Sequence, residues 1–303
     1  MSIRTWLMAL VVAICFDAGN VVAAEYVFGP AIPVPGYQPN PNPAADEDFN
    51  YIAPDGQSMI VGLGHWPGRT LATRTRDALS GQWTAPTGMG IAPESNAGYL
   101  SPDGNSIYYN GIDGIYRSRR VGTAWSAGEL VPNVNVDGAN NPVFNGQKLF
   151  ISTYPAGNEH IAVCEYDPLS DQFSTPVLAT GLNSPYTEIV SWVSSDSRFL
   201  IFESDRPGGF GSADLYSAKW DDQLGQWGNI TNLGPNINTA AAKECEGRIA
   251  EGAGLLFFQR RVSDLADWTL MQASLPEPSS LALLGVGAIS LLAYAWRRWK
   301  RAG

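Results

Sequence analysis

The sequence predicts an all-β fold built from five copies of a four-stranded unit, and three observations support this prediction. The 303 residues include 32 Gly and 21 Pro, and only 16% are charged, a composition that favours turns over long solvent-facing helices. Related turn sequences recur at residues 55, 103, 145, 196 and 251. Short apolar runs surround each turn, and a four-strand repeat of this length is the signature of a β-propeller blade.

The recurring turns are predicted to be β-hairpins. Asp55-Gly56 and Asp103-Gly104 each follow a proline, while Asn145-Gly146, Asp196 and Glu251 occupy the same position in the other units. Gly and Asn accept the positive φ angles that tight hairpins require. Each turn is therefore expected to join the inner strand of a blade to its second strand.

Four strands per unit follow from the alternation of apolar and polar residues around these turns. The predicted inner strands are residues 49–53, 98–101, 141–144, 190–194 and 247–250. The predicted second strands are 58–63, 106–109, 148–153, 199–203 and 255–259, and the third are 70–75, 115–119, 160–166, 214–220 and 268–273. An aromatic residue marks the fourth strand in four units, at Trp83, Trp125, Phe173 and Trp227.

The fifth unit has no fourth strand of its own before the C-terminal tail begins. Residues 27–32 resemble residues 173–178, which belong to the fourth strand of the third unit. The N-terminal segment is therefore predicted to complete the last blade and close the ring, which removes an exposed sheet edge. Five blades are predicted, with six as the alternative.

Both ends of the chain are predicted to be targeting segments, which divides it into a signal peptide at 1–24, the propeller at 25–275 and a tail at 276–303. Arg4, an apolar run over residues 6–16 and the small residues Val22-Ala23-Ala24 form a secretory signal. Residues 279–299 are long and apolar enough for a transmembrane helix. Because the basic residues at the end of this run stay in the cytoplasm, the propeller is expected outside it.

The charge is unevenly distributed along the chain. Residues 1–24 are neutral and residues 276–303 carry +3, so the net charge of −10 leaves −13 on the middle region. Such a surface disfavours nucleic acid, whose binding depends on neutralising phosphates, and is compatible with a cation or a sugar polymer. Two cysteines follow the signal peptide, and the sequence leaves open whether Cys164 and Cys245 form a disulfide.

Acidic residues precede every predicted inner strand, and in a propeller these positions meet at one mouth of the central channel. They are Asp46, Glu47, Asp48, Glu94, Asp137, Glu188, Glu244 and Glu246. One interpretation is structural, with the carboxylates bonded to backbone N–H groups between blades. A second is a cation site, with calcium as the candidate. A third is inverting glycoside hydrolysis by Asp48, Asp137 and Glu188, in the manner of five-bladed arabinanase-like and xylosidase-like enzymes.

Aromatic residues in the connections between second and third strands are candidates for ligand contact. Together with two of the acidic residues, the candidate binding set is Trp66, Tyr154, Phe210, Trp268, Glu94 and Glu246. Aromatic and acidic groups together suit carbohydrates, which stack on rings and hydrogen-bond through their hydroxyls. Apart from calcium, no cofactor is expected.

Residues 200–216 are the clearest copy of the repeated unit. Between their two strands lie Asp205, Arg206, Gly208, Gly209 and Asp214. The glycines suit a tight loop, and the polar side chains are predicted to hold that loop rather than to bind a ligand. With the turn before it and Asn232-Leu233-Gly234 after it, this unit resembles the WD-like repeat named for its Pro-Asp turn, which also occurs in the TolB propeller. The resemblance implies the fold but no single activity.

The C-terminal tail resembles a known sorting signal. Pro276-Glu277-Pro278, the apolar run and the Arg-rich end follow one another as in the PEP-CTERM signal. The resemblance implies export from a Gram-negative bacterium that makes extracellular polysaccharide, and processing by an exosortase. The expected function is a binding or scaffolding module at the cell surface or in the matrix, with polysaccharide or envelope proteins as partners. A glycoside hydrolase is the alternative.

Overall fold

Five antiparallel sheets make up the described part of the chain. The computed structural model describes residues 28–39, 46–65, 68–91, 95–155, 157–262 and 268–275, all within one unit that spans Phe28–Glu277. The inner strand of each sheet contacts the inner strand of the next, and the last contacts the first, so the sheets form a closed ring. The predicted five-bladed all-β fold is confirmed, while the helix predicted at 279–299 lies outside the described residues.

The strands are numbered along the chain, beginning with β1 (Ile32–Pro33). Blade 1 consists of β2 (Glu47–Ile52), β3 (Ser58–Leu63), β4 (Thr70–Thr75) and β5 (Thr87–Gly88). Blade 2 consists of β6 (Asn96–Leu100), β7 (Ser106–Gly111), β8 (Gly114–Val121), β9 (Ala124–Trp125) and β10 (Glu129–Leu130). Blade 3 consists of β11 (Asn140–Phe144), β12 (Lys148–Thr153), β13 (His160–Asp167), β14 (Gln172–Phe173) and β15 (Val177–Leu178).

Blade 4 consists of β16 (Glu188–Val193), β17 (Phe199–Ser204), β18 (Asp214–Asp221) and β19 (Gln226–Asn232). Blade 5 consists of β20 (Lys243–Ala250), β21 (Leu255–Arg261), β22 (Thr269–Ser274) and the N-terminal β1. The fourth strands of blades 1 to 3 are short. In blade 3 the fourth strand is split into β14 and β15 around Pro176, which has no N–H to donate to a ladder.

The N-terminal segment closes the ring, as predicted. β1 pairs antiparallel with β22, and backbone bonds from Gly29 N–H to Ser274 O (3.1 Å) and from Val34 N–H to Leu270 O (3.0 Å) extend the pairing on both sides. Phe28 lies just before this segment and is buried in the cluster between blades 4 and 5. Blade 5 is therefore assembled from both ends of the propeller region, with pairing over residues 29–34 rather than 27–32.

Asparagine side chains fix the connections that lead from one blade to the next. Asn135, Asn183 and Asn238 each accept a hydrogen bond from the backbone N–H of a residue near the start of the preceding third strand, at 2.6 to 2.9 Å. Each also donates to the carbonyl oxygen of that same residue. In blade 1, the Ser95 hydroxyl accepts from Leu71 N–H in the same way. These contacts, the asparagine clamps, determine where each following inner strand begins.

The core lies between neighbouring blades rather than in one central mass. Five buried hydrophobic clusters separate the blades. The fourth-strand aromatics Trp83, Phe173 and Trp227 are buried in three of them, as the repeat pattern predicted, while Trp125 is half-buried beneath the Arg120 guanidinium. Burial of large aromatic side chains supplies much of the stabilisation of a fold of this kind.

The ring closure makes a prediction about stability. Phe28→Ala should lower the free energy of unfolding by about 3–5 kcal/mol, because it leaves a cavity in the cluster that joins the N-terminal segment to blade 5. Ile32→Ala, four residues further along the same segment at a half-exposed position, should change it by less than about 1 kcal/mol. Urea denaturation of the two variants measures the difference, and equal losses would contradict the packing role of Phe28.

Candidate functional site at the channel mouth

The inner strands all begin on one side of the ring, which we call the mouth face. The connections from β3 to β4, β7 to β8, β12 to β13, β17 to β18 and β21 to β22 lie on the same side, because each second strand ends there. The opposite side, the turn face, carries the hairpins at residues 55, 103, 145, 196 and 251. Each inner strand also contains one bulge near its start, which re-aims the first side chains.

Glu188, one of the predicted acidic residues, is completely buried at the start of β16. Its carboxylate accepts hydrogen bonds from Ser184 N–H (3.1 Å) and from the Ser184 hydroxyl. Arg206 Nη2 donates to it at 3.0 Å, and the His160 ring nitrogen Nδ1 lies 3.2 Å away. The Arg206 guanidinium also stacks over the rings of Phe202 and Tyr216. The carboxylate is therefore enclosed by partners from blades 3 and 4.

Glu244 has the same arrangement in blade 5. It is completely buried, accepts from Thr239 N–H (3.2 Å) and the Thr239 hydroxyl (2.9 Å), and pairs with Arg260 Nε at 2.8 Å. Arg260 Nη2 also donates to the Ile237 carbonyl at 2.6 Å, as Arg206 Nη2 does to Leu182. Two of the predicted mouth carboxylates thus tie the interblade connection to the second strand of the next blade.

Asp48 and Glu47, at the start of β2, pair with arginines of blade 1. Arg69 Nη1 donates to Asp48 at 2.6 Å, and its Nη2 donates to Asp46 at 3.1 Å. Arg74 Nη2 donates to Glu47 at 2.6 Å. Burial raises the pKa of Asp48, although Arg69 opposes the shift.

Further charged groups continue this network between blades 4 and 5. Glu203 pairs with Lys243 at 2.6 Å, and Glu246 pairs with Arg248 at 2.5 Å. Burial, only partly offset by Arg248, raises the pKa of Glu246 to about 7. Arg248 Nη1 and Asn50 Oδ1 are buried without a hydrogen-bond partner in the described part of the chain. The region therefore holds carboxylates and guanidinium groups in close contact, with polar atoms still unsatisfied.

The remaining candidate residues have different positions. Asp137 is exposed in the connection before β11, where its carbonyl accepts a hydrogen bond from Tyr154 N–H at 2.7 Å. Tyr154 and Phe210 are 45% and 43% exposed on the mouth face. Trp268 is half-buried with the Arg261 guanidinium 4.6 Å from its ring centre. Trp66 and Glu94 lie outside the described residues. The catalytic set Asp48, Asp137 and Glu188 stays a prediction.

The aspartate and glycine residues of the repeated turns stabilise the turn backbone, as their residue types suggest. Asp55 accepts a hydrogen bond from Gln57 N–H and Asp103 from Asn105 N–H, and Gly56 and Gly104 have φ of 68° and 71°. In blade 4, Asp205 accepts from Thr187 N–H at 2.9 Å, so it bonds to a neighbouring connection rather than to Arg206.

Asp214 holds the loop that precedes it. Its carboxylate accepts from Gly211 N–H at 2.9 Å and from the Asn232 amide at 2.8 Å. Gly208 has a φ of 90°, and a Cβ on Gly209 would lie 2.4 Å from an Asp214 carboxylate oxygen. The glycines therefore serve loop geometry.

A cleft between blades 2 and 3 opens on the mouth face and was not predicted from the sequence. It encloses about 710 Å³ and is lined on one side by Asn96 and Asn110 and on the other by Asn140, Asn141 and Tyr154. The sequence signal that could have indicated it is the presence of Asn96, Asn140 and Asn141 at the starts of two inner strands. We call this site the amide cleft.

The described residues contain neither a candidate metal site nor a disulfide. No group of three or more His, Cys, Asp or Glu side chains is placed there to hold a metal ion. Cys164 and Cys245 are both buried free cysteines, and burial raises the pKa of each thiol, that of Cys164 to about 12. No helix within the described ranges is long and apolar enough to cross a membrane.

Comparisons with known proteins agree with this architecture. Residues 274–301 match the PEP-CTERM protein-sorting motif. The chain is a five-bladed β-propeller that carries a PEP-CTERM sorting motif. The putative TolB of Agrobacterium tumefaciens superposes with a TM-score of 0.51 at 13% identity, over 84% of this chain and 90% of that one.

An enzyme shares the fold as well. The catalytic domain of the Coprinopsis cinerea GH62 α-L-arabinofuranosidase superposes with a TM-score of 0.54 at 13% identity, over 83% of this chain and 97% of that one. Both likenesses concern the fold alone. A search of curated proteins found no significant match. The PEP-CTERM motif indicates an exported protein with a membrane-anchored C-terminal signal.

Because Glu188 is buried against Arg206, the stability of the fold is predicted to depend strongly on this arginine. Arg206→Gln should lower the free energy of unfolding by about 3–5 kcal/mol, because it leaves the Glu188 carboxylate buried without its guanidinium. Arg198→Gln is the matched control, since the Arg198–Asp222 pair is exposed to solvent and should contribute little to stability. Denaturant titration of both variants tests this, and similar small losses would show that Glu188 does not need Arg206.

The raised pKa of Glu246 predicts a pH dependence of stability. Because the folded state holds the Glu246 proton up to pH 7 whereas the unfolded chain releases it near pH 4.5, this group favours folding at low pH. Its contribution is lost as the pH rises from about 4.5 to 7. Relative to Glu246→Gln, the wild-type free energy of unfolding should fall by about 3 kcal/mol between pH 5 and 8. Parallel profiles for the two proteins would disprove the shift.

Proposed function

We propose that this exported propeller is a binding or scaffolding module for extracellular polysaccharide, acting at the cell surface or in the matrix after export. The observation that carries this proposal is the amide cleft, which gathers amide and aromatic groups on the mouth face. Protein sites that recognise sugars combine such hydrogen-bonding groups with an exposed ring.

Side-chain contacts keep the connections of the mouth face in one arrangement. Glu188 and Glu244 are enclosed by arginines and hydroxyls, and the asparagine clamps fix the connections beside them. A preformed surface loses little conformational freedom on binding, which favours affinity for a flexible polymer. The proposal therefore assigns these carboxylates to support of the surface and Tyr154 and Phe210 to contact with the ligand.

Binding and hydrolysis by residues 25–275 can be measured together, because these residues include every described strand and all five clusters. A glycan array with and without calcium should reveal retained polysaccharides, and a reducing-end assay on arabinan, xylan and the host's own exopolysaccharide should detect no cleavage. Tyr154→Ala with Phe210→Ala should weaken retention about tenfold or more. Leu169→Ala with Leu224→Ala, exposed on the turn face, is the matched control and should leave it unchanged.

Other outcomes would redirect the assignment. Cleavage that disappears in Asp48→Asn would replace the binding role with the glycoside hydrolase. Retention of an envelope protein without any glycan would replace polysaccharide with a protein partner.

A further inference from the structure

The two walls of the amide cleft come from different blades and meet through one backbone contact. Asn110, at the end of β7 in blade 2, accepts a hydrogen bond through Oδ1 from Asn141 N–H of blade 3 at 2.9 Å. Asn141 sits at the bulge of β11 with a φ of 47°, a conformation that asparagine tolerates better than most residues. The bulge and the contact together hold the two walls at a fixed separation.

The amides of the cleft leave both donors and acceptors available. Asn96 uses Oδ1 to accept from Arg69 Nη1 at 3.3 Å, and Asn110 uses Oδ1 for Asn141, so the NH₂ group of each has no partner among the described residues. In Asn140 the amide is used the other way round, because its NH₂ group is hydrogen-bonded and its oxygen is not. Its NH₂ donates to the Gly138 carbonyl at 3.1 Å, while its Oδ1 is buried without a donor. A buried acceptor without a donor is unfavourable, and a ligand hydroxyl group that reached it would satisfy it.

Tyr154 forms a wall of the cleft with its ring partly open to solvent. A Cβ on Gly138, which has a φ of 69°, would lie 3.3 Å from the ring, so the backbone packs closely against one side of it. Burial and the neighbouring Glu159 raise the pKa of the Tyr154 phenol to about 12, which keeps it neutral at physiological pH. Because the phenol is already hydrogen-bonded to Glu159, the ring offers a ligand its apolar surface.

The charge of the cleft lining favours neutral sugars over anionic ones. Among the described residues, the lining includes the carboxyl groups of Asp113 and Glu159 and no lysine or arginine. Burial raises the pKa of Glu159, although contacts with Tyr154 and Asn140 oppose the shift. A uronate, sulfate or phosphate group would meet carboxylates and find no cation within the lining. A hydroxyl group, which both donates and accepts, matches the mixture of free NH₂ groups and free carbonyl oxygen.

We infer that the amide cleft is a subsite for a neutral sugar residue, stacked on Tyr154 and hydrogen-bonded by Asn96, Asn110 and Asn140. This inference rests on the proposed binding function and specifies its ligand class and location. The cleft volume of about 710 Å³ accommodates more than one sugar ring, so internal residues of a chain fit as well as its ends.

Titration calorimetry on residues 25–275 tests the subsite with defined probes: the neutral hexasaccharides of β-1,4-glucan, β-1,4-xylan and α-1,5-arabinan, and the anionic hexamer of galacturonic acid. At least one neutral probe should bind, and the anionic probe should bind at least tenfold more weakly. Tyr154→Ala should weaken the neutral complex about tenfold or more, while Tyr154→Phe, which keeps the ring, should stay within about threefold. Asn140→Ala should also weaken it.

Tyr186→Ala is the matched control, because Tyr186 is similarly exposed but does not line the cleft. It should leave affinity unchanged, and thermal unfolding of every variant should confirm that the fold is intact. If a neutral probe binds equally to Tyr154→Ala and Tyr186→Ala, or if only the anionic probe binds, the proposed subsite is contradicted. The proposed binding function is not contradicted by either result. If no glycan binds in either the titrations or the array, both fail.

Discussion

The position of the mouth depends on the asparagine clamps. A propeller blade is an independent sheet, and nothing in its own ladder determines where the next blade begins. Asn135, Asn183 and Asn238 supply this link, because each occupies both the N–H and the C=O of one residue in the preceding third strand. Removing such a side chain would leave buried backbone groups unpaired as well as freeing the connection. The mouth face is therefore defined by neutral amides as much as by its charges.

The carboxylates that surround the mouth divide into two groups with different physical roles. Glu188 and Glu244 have no solvent exposure and are surrounded by hydrogen-bond donors, although burial still raises the pKa of Glu244. Glu246 and Asp48 are partly exposed, and burial raises the pKa of both. The first group ties the interblade connections to the second strands, whereas the second pairs with arginines of its own blade. A cluster of acidic residues in a sequence does not by itself distinguish these roles, because all four carboxylates face an arginine and the difference lies in how completely each one is enclosed.

The blades and their order could be predicted because they follow from local patterns. Turn residues and alternating apolar positions give β3, β4 and β12 their predicted bounds, and the similarity of 27–32 to a fourth strand indicated the closure. The candidate site could be predicted only in part. The pair Glu188–Arg206 spans one blade, and the amide cleft joins Asn110 to Asn141 across two. Such contacts depend on bulge positions and on interblade spacing, which no local pattern specifies.

The position of β22 within blade 5 has a mechanical consequence. β22 is the last described strand, and it lies inside the sheet, paired along its whole length with β21 and flanked on its other side by β1. A pulling force that enters the propeller through Leu275 therefore acts along a strand held on two sides. The hydrogen bonds on both sides resist such a force together, in shear, whereas a strand at a sheet edge would peel away one bond at a time. By covering the outer side of β22, the N-terminal segment adds a second set of hydrogen bonds to the strand through which such a force would enter.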